Sequence, residues 1–135
     1  MNKYHGSCLC GEVTYSFEGE VGDYGYCHCS KCRKASGTAF SANAEVSLET
    51  FELDDPKNYL SEYESSSGTH RFFCSNCGSP VYTMKDKSPD LARVRLGSLD
   101  TDFDKKASRH TFVGDKALWH EITDELPQFE GRFEG

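Results

Sequence analysis

Cys8-Leu9-Cys10-Gly11-Glu12-Val13-Thr14-Tyr15-Ser16-Phe17-Glu18 carries the two signals that decide the fold. Val13, Tyr15 and Phe17 alternate with Thr14, Ser16 and Glu18, the period-2 pattern of a half-buried strand. Just before that strand stand two cysteines one residue apart. On an extended segment alternate side chains share a face, so Cys8 and Cys10 can both point at one ion.

Outward from this stretch the alternation recurs. Val94 and Leu96 alternate with Arg93 and Arg95, and similar short runs lie at Ala39–Val46, Tyr59–Glu64, His70–Cys74, Pro80–Met84 and Arg109–Val113. Gly19, Gly22, Gly68, Gly78, Pro89, Gly97 and Gly114 punctuate them, so the chain reads as mostly β. One helical turn is expected at Ser30–Ser36, with Ser30 as N-cap and Gly37 stopping it. Ser65–Gly68 and Lys85–Asp90 read as exposed loops. There is neither a repeat nor a linker, and 135 residues suit one modest core. A single domain over residues 1–135 is therefore expected, with its core at about 4–129 and a frayed tail at 130–135.

The formal net charge of -7 opposes a phosphate-tracking surface, which needs clustered Lys and Arg, so nucleic acid is not an expected partner. No apolar run approaches the roughly 18 residues needed to span a bilayer, and Met1-Asn2-Lys3-Tyr4-His5 leads into no hydrophobic signal core. A soluble, cytoplasmic protein with no membrane partner is expected. In that compartment thiols stay reduced, and the seven cysteines are odd in number, which argues against a disulfide framework.

The cysteines fall in three tight groups: Cys8-x-Cys10, Cys27-x-Cys29-x-x-Cys32 and Cys74-x-x-Cys77. A tetrahedral zinc site needs sulfurs about 2.3 Å from the metal and hence under about 4 Å from one another. The turn of a C-x-x-C knuckle meets that need, and Asn76 and Gly78 are residues that tolerate the positive φ of such a turn. Pairing Cys8 and Cys10 with Cys74 and Cys77 makes a closed structural site that cross-links distant parts of the chain. Cys27, Cys29 and Cys32 then remain, three thiols with no local fourth ligand. Three protein ligands leave one position for water or substrate, the arrangement of a catalytic zinc. Lys31, Arg33 and Lys34 beside them form a basic patch suited to an anionic substrate, and equally to solvated surface charge. For the trio, a redox-active thiol cluster, or a second structural zinc completed by His28 or a distant histidine, stays open. His28 reads as a polar surface residue, its ring turned away from its ligand neighbours; His110 and His120 read as packing near the core, and Trp119 as core.

These motifs together resemble the glutathione-dependent formaldehyde-activating (GFA) family, also represented by the centromere protein V domain. The resemblance runs from about Tyr4 to about Phe129. It is carried by Gly6-Ser7-Cys8-Leu9-Cys10-Gly11, by Cys27-His28-Cys29-Ser30-Lys31-Cys32-Arg33-Lys34 with Ser36-Gly37, by Phe73-Cys74-Ser75-Asn76-Cys77-Gly78, and by Trp119-His120-Glu121-Ile122 with Leu126-Pro127. It implies a tent-like β fold of small antiparallel sheets and two zinc ions per chain. Cys8, Cys10, Cys74 and Cys77 would hold the structural ion, and Cys27, Cys29 and Cys32 the catalytic one. The implied reaction is reversible addition of glutathione to formaldehyde, giving S-hydroxymethylglutathione, so the expected partner is a small-molecule thiol. Arg33 and Lys34 are the expected contacts for its carboxylates. The expected activity is that of a zinc-dependent carbon–sulfur lyase; the rival is a zinc-stabilised binding module or thiol-redox sensor without turnover.

Overall fold

The computed structural model describes residues 2–133. In chain order the elements are β1 (Lys3–Ser7), β2 (Thr14–Glu18), β3 (Gly25–Cys27), α1 (Ser30–Ser36), β4 (Ser41–Ser47), β5 (Glu52–Asp54), β6 (Leu60–Ser66), β7 (Thr69–Cys74), β8 (Pro80–Lys85), β9 (Leu91–Arg95) and β10 (Arg109–Thr111). Single turns of 3-10 helix follow at Leu96–Ser98 and Val113–Asp115. The fold is mostly β, as the alternation requires. β1, β3 and β5 had no signal of their own: Lys3–Ser7 lacks alternating apolar residues, and the other two are three-residue ladders. Their partners make them strands. The chain forms two compact units, Met1–Gly22 with Ala44–Asp104, and Asp23–Asn43 with Lys105–Gly135, the boundary falling inside β4.

The first unit contains an antiparallel sheet in the order β1-β2-β5, with Gly6 opposite Tyr15 and Tyr15 opposite Leu53. Val13, Tyr15 and Phe17 are buried while Glu18 is exposed, so the alternation is obeyed side chain by side chain. Tyr15 stacks between Phe17 and Phe51, and its hydroxyl lies 2.6 Å from Ser98 Oγ. A second run of strands follows the order β9-β8-β7-β6 as an antiparallel meander, in which Val81, Ala92 and Val94 are buried. Burying a valine or phenylalanine of this kind contributes about 1.5–3 kcal/mol. Gly68, at φ 78, makes the tight turn between β6 and β7, and the expected loop shrinks to that turn.

In the second unit β3 pairs parallel with β10 and antiparallel with β4, placing Cys27 between Thr111 and Ser41. α1 spans the expected residues, and Gly37 at φ 73 ends it, donating its N–H to the Arg33 carbonyl. Its N-cap is Cys29 rather than Ser30. Two expectations about burial reverse here. His28 is fully buried rather than on the surface, and Trp119 is 73% exposed rather than in the core. An imidazole can be buried where it finds a hydrogen-bond partner, which His28 does at Nε2, its buried Nδ1 having none. Trp119 sits beside the fully exposed Leu118 in a turn closed by the His120 N–H to the Ala117 carbonyl. The C-terminal segment, expected to fray, is hydrogen-bonded to β10 and the turn after it: Phe129 donates to His110 O, Val113 to Phe129 O, and Phe112 to Gly131 O. Phe133 lies under the Arg109 guanidinium. Glu134 and Gly135 fall outside the described residues.

Candidate functional site

Each unit carries one cysteine group. In the first, the Sγ atoms of Cys8, Cys10, Cys74 and Cys77 all lie within 4.8 Å of one another. Cys8 and Cys10 are 3.5 Å apart, and Cys10 and Cys74 are 3.8 Å apart. Four sulfurs on a tetrahedron of 2.3 Å bonds stand about 3.8 Å from one another, so donor set and spacing fit one zinc-sized ion. The backbone makes this by two turns facing each other. β1 ends at Ser7, and Cys8–Gly11 is a turn rather than the expected extended pair, the Gly11 N–H reaching the Cys8 carbonyl at 3.1 Å with Gly11 at φ 80. The Cys74–Gly78 knuckle closes with the Gly78 N–H on the Cys74 carbonyl, Gly78 also at φ 80. Only Gly78 takes the positive φ there. Asn76 acts differently, its side chain hydrogen-bonding Cys10. The Leu9 N–H donates to Ser79 Oγ at 2.8 Å and ties one turn to the other.

The thiols of this group are shifted in opposite directions. Cys10 is lowered, first by Asn76 and then by a backbone hydrogen bond at Glu12. Burial works to raise Cys77, but the side chain and backbone of Ser79 together with other hydrogen bonds bring it down to about 5. Cys74, fully buried, is pushed up to about 12, mainly by that burial. Two thiols are thus ready to ionise while a third resists. A divalent cation removes the resistance, because each added thiolate then meets positive charge.

In the second unit the Sγ atoms of Cys27, Cys29 and Cys32 also lie within 4.8 Å of one another, with no fourth cysteine, histidine or carboxylate joining them among the described residues. Cys27 ends β3, Cys29 caps α1, and Cys32 lies in its first turn, where its N–H donates to Cys29 Sγ at 3.3 Å. Cys32 is buried; Cys27 and Cys29 are half-buried, so the group opens to solvent on their side. Cys27 is pushed far up by its hydrogen bonds to the Cys29 and Cys32 thiols and by burial. Three thiols in contact cannot all ionise without a balancing cation. The group therefore could hold a metal ion through three sulfurs, leaving one position uncommitted.

The structure adds a feature that no local pattern announces. His28, between Cys27 and Cys29, turns its ring inward and places Nε2 2.8 Å from His110 Nδ1; His110 Nε2 lies 3.0 and 3.1 Å from the two carboxylate oxygens of Asp124. The residues stand at positions 28, 110 and 124, and only β3 and β10 lying side by side brings the first two together. The His120 and Phe40 rings pack on His28, so His110 and His120 do sit near a core, as expected. His28 is lowered to about 4, by burial first and then electrostatically by its neighbours His110, His120 and Lys116. It stays neutral at ordinary pH. Of the basic patch, Lys31 and Lys34 are exposed, while Arg33 is half-buried with Nε lacking a hydrogen-bond partner.

The model of the family described as "Glutathione-dependent formaldehyde-activating enzyme" matches residues 3–115. The chain belongs to the GFA family. A Halomonas elongata protein provisionally named for the same activity is 29% identical over 127 residues, covering 87% of this chain and 79% of its own. An Aspergillus flavus protein of the same provisional name is 28% identical over 126 residues, covering 92% of this chain but only 57% of its own. An uncharacterized lyase of Schizosaccharomyces pombe is 33% identical over 85 residues, covering 61% of this chain and 58% of its own. A solved Rhodobacter sphaeroides protein, 22% identical, superposes with a TM-score of 0.62 over 74% of this chain and 91% of its own, a likeness of fold. No helix among the described residues is long and apolar enough to cross a membrane.

Proposed function

We propose that this GFA-family chain is a single zinc-binding domain with two zinc ions, a structural one on Cys8, Cys10, Cys74 and Cys77 and a catalytic one on Cys27, Cys29 and Cys32. Its activity is that of a zinc-dependent carbon–sulfur lyase acting on glutathione or a glutathione–aldehyde adduct. The observation that carries the reading is the contrast between the two groups. One offers four sulfurs, which complete a tetrahedron; the other offers three, two of them half-exposed, which leave a position for a ligand.

Zinc bound there supplies a Lewis acid that stabilises a substrate thiolate and draws electron density from an aldehyde oxygen. The chain's own residues do the rest. The β3–α1 turn holds three sulfurs to one side and leaves the other to substrate. Arg33, half-buried and with Nε unpartnered, and Lys34, exposed, offer positive charge to the glutathione carboxylates, Arg33 through a planar fork suited to them. In the addition, the sulfur lone pair forms the carbon–sulfur bond as the carbonyl π bond breaks, and the oxygen takes up a proton. Cleavage is the reverse. The family name and the names of the Halomonas and Aspergillus relatives support glutathione and formaldehyde as substrates, and the Schizosaccharomyces relative supports a lyase.

The test combines metal and turnover. Elemental analysis of protein purified reduced and without chelator should give about two zinc ions per chain, falling to about one when Cys27, Cys29 and Cys32 are all changed to alanine. Glutathione and formaldehyde should then equilibrate with their adduct faster with wild type than with Cys29→Ala or with no protein. Equal rates in all three samples, across formaldehyde and other aldehydes, would remove the enzyme reading.

A further inference from the structure

His28 is the residue between two ligands of the proposed catalytic zinc, held through its backbone N–H and its Nε2, while its buried Nδ1 has no hydrogen-bond partner. Its N–H donates to the Thr111 carbonyl at 3.0 Å, and its Nε2 meets His110 Nδ1 at 2.8 Å. His110 is itself 2% exposed and reaches Asp124, whose Oδ1 also accepts the Leu126 N–H at 3.0 Å. A carboxylate only accepts, so His110 Nε2 carries a proton and donates it to Asp124, while its Nδ1 shares one hydrogen bond with His28 Nε2. The chain of contacts runs from His28 through His110 to Asp124. Burying two imidazoles is costly unless they are hydrogen-bonded, and an apolar residue at position 28 would pack without that cost.

We propose that His110 and Asp124 are positioning residues which, through His28, hold the Cys27–Cys29 arm in the conformation that brings three sulfurs onto one ion. They touch neither metal nor substrate. The inference rests on the reading that the trio binds zinc, and it assigns the geometry of that site to a hydrogen-bonded chain reaching the surface at Asp124, whose side chain is 44% exposed. Outer groups that orient metal ligands are worth about 10–100-fold in metal affinity.

Cobalt(II) is the probe, because thiolate–cobalt absorption reports coordination independently of turnover. Affinities for the trio are taken by competition with a chelator in wild type, His110→Phe, Asp124→Leu and Asp124→Asn. The four-cysteine site is read separately in the background with Cys27, Cys29 and Cys32 changed to alanine. Asp124→Leu and His110→Phe should weaken the trio about 10–100-fold and alter its spectrum while the four-cysteine site is unchanged. Asp124→Asn, which keeps an oxygen to accept from His110, should retain most of the affinity. Trio affinity within about twofold of wild type in both disruptive variants, or parallel loss of both metals, would overturn the proposal. Should His110→Phe fail to fold, Asp124→Leu still decides, because it leaves the buried ring pair in place. If the wild-type trio takes up no cobalt, the zinc reading falls first and this inference with it.

Discussion

Gly6 is the residue at which a single added methyl group tests the first unit most sharply. A Cβ built there meets Tyr15 Cε1 at 2.6 Å, with Cζ and the hydroxyl oxygen nearer still, whereas ordinary contacts begin near 3.4 Å. The Tyr15 ring has little freedom to retreat: it is 3% exposed, it stacks on Phe17 at 6.3 Å and Phe51 at 5.5 Å, and its hydroxyl is bonded to Ser98. Burial also pushes that hydroxyl up to about 12, so it stays protonated and able to donate. Overpacking of this kind costs about 1–3 kcal/mol, and losing the tyrosine hydrogen bond about 1 kcal/mol more. Gly6→Ala should therefore destabilise by about 2–4 kcal/mol, a fall in Tm of roughly 6–12 °C for a chain of this size. Thermal and urea melts at fixed zinc concentration measure it, since bound metal shifts Tm by mass action. In the background of Tyr15→Leu, where the ring is gone, the same substitution should cost less than about 1 kcal/mol. A Gly6→Ala melt within about 1 °C of wild type, or an equal cost in both backgrounds, would refute the reasoning.

Changing Cys74 to serine should remove the proposed structural ion and lower Tm by more than the triple cysteine-to-alanine change in the trio does, because Cys74 is fully buried in a site tying two distant turns together; melts with and without added zinc decide it. His70 is raised by its hydrogen bonds to Glu62 and Asp86, at 2.5 and 2.9 Å. A raised folded value means its contribution is fully present below about 6.5 and is lost as pH rises through the folded value, so the Tm advantage of wild type over His70→Gln should shrink from pH 6 to 9. Trp119, the one tryptophan in the chain, should emit as a water-exposed indole in the native state, and Trp119→Ala should change stability by no more than about 0.5 kcal/mol. A blue-shifted native spectrum would contradict the exposed turn.

Local periodicity and spacing determined a good deal about this protein. Val13, Tyr15 and Phe17 had to share a face, Ser30–Ser36 had to be short because Gly37 ends it, and three tight cysteine groups had to be more than scattered thiols. Each is a property of neighbours in the chain, set by side-chain direction or by the φ a residue tolerates. The tertiary structure decided what depends on partners far away in sequence. β1, β3 and β5 are strands because a neighbouring strand accepts their hydrogen bonds, and Cys8 and Cys10 converge through a turn that Ser79 helps to hold. Most of all, His28 read as a surface histidine until β10 brought His110 beside it, with Asp124 bound to that second ring. The burial of His28 is made tolerable by the partner that waits for Nε2, and no stretch of sequence around residue 28 contains that partner.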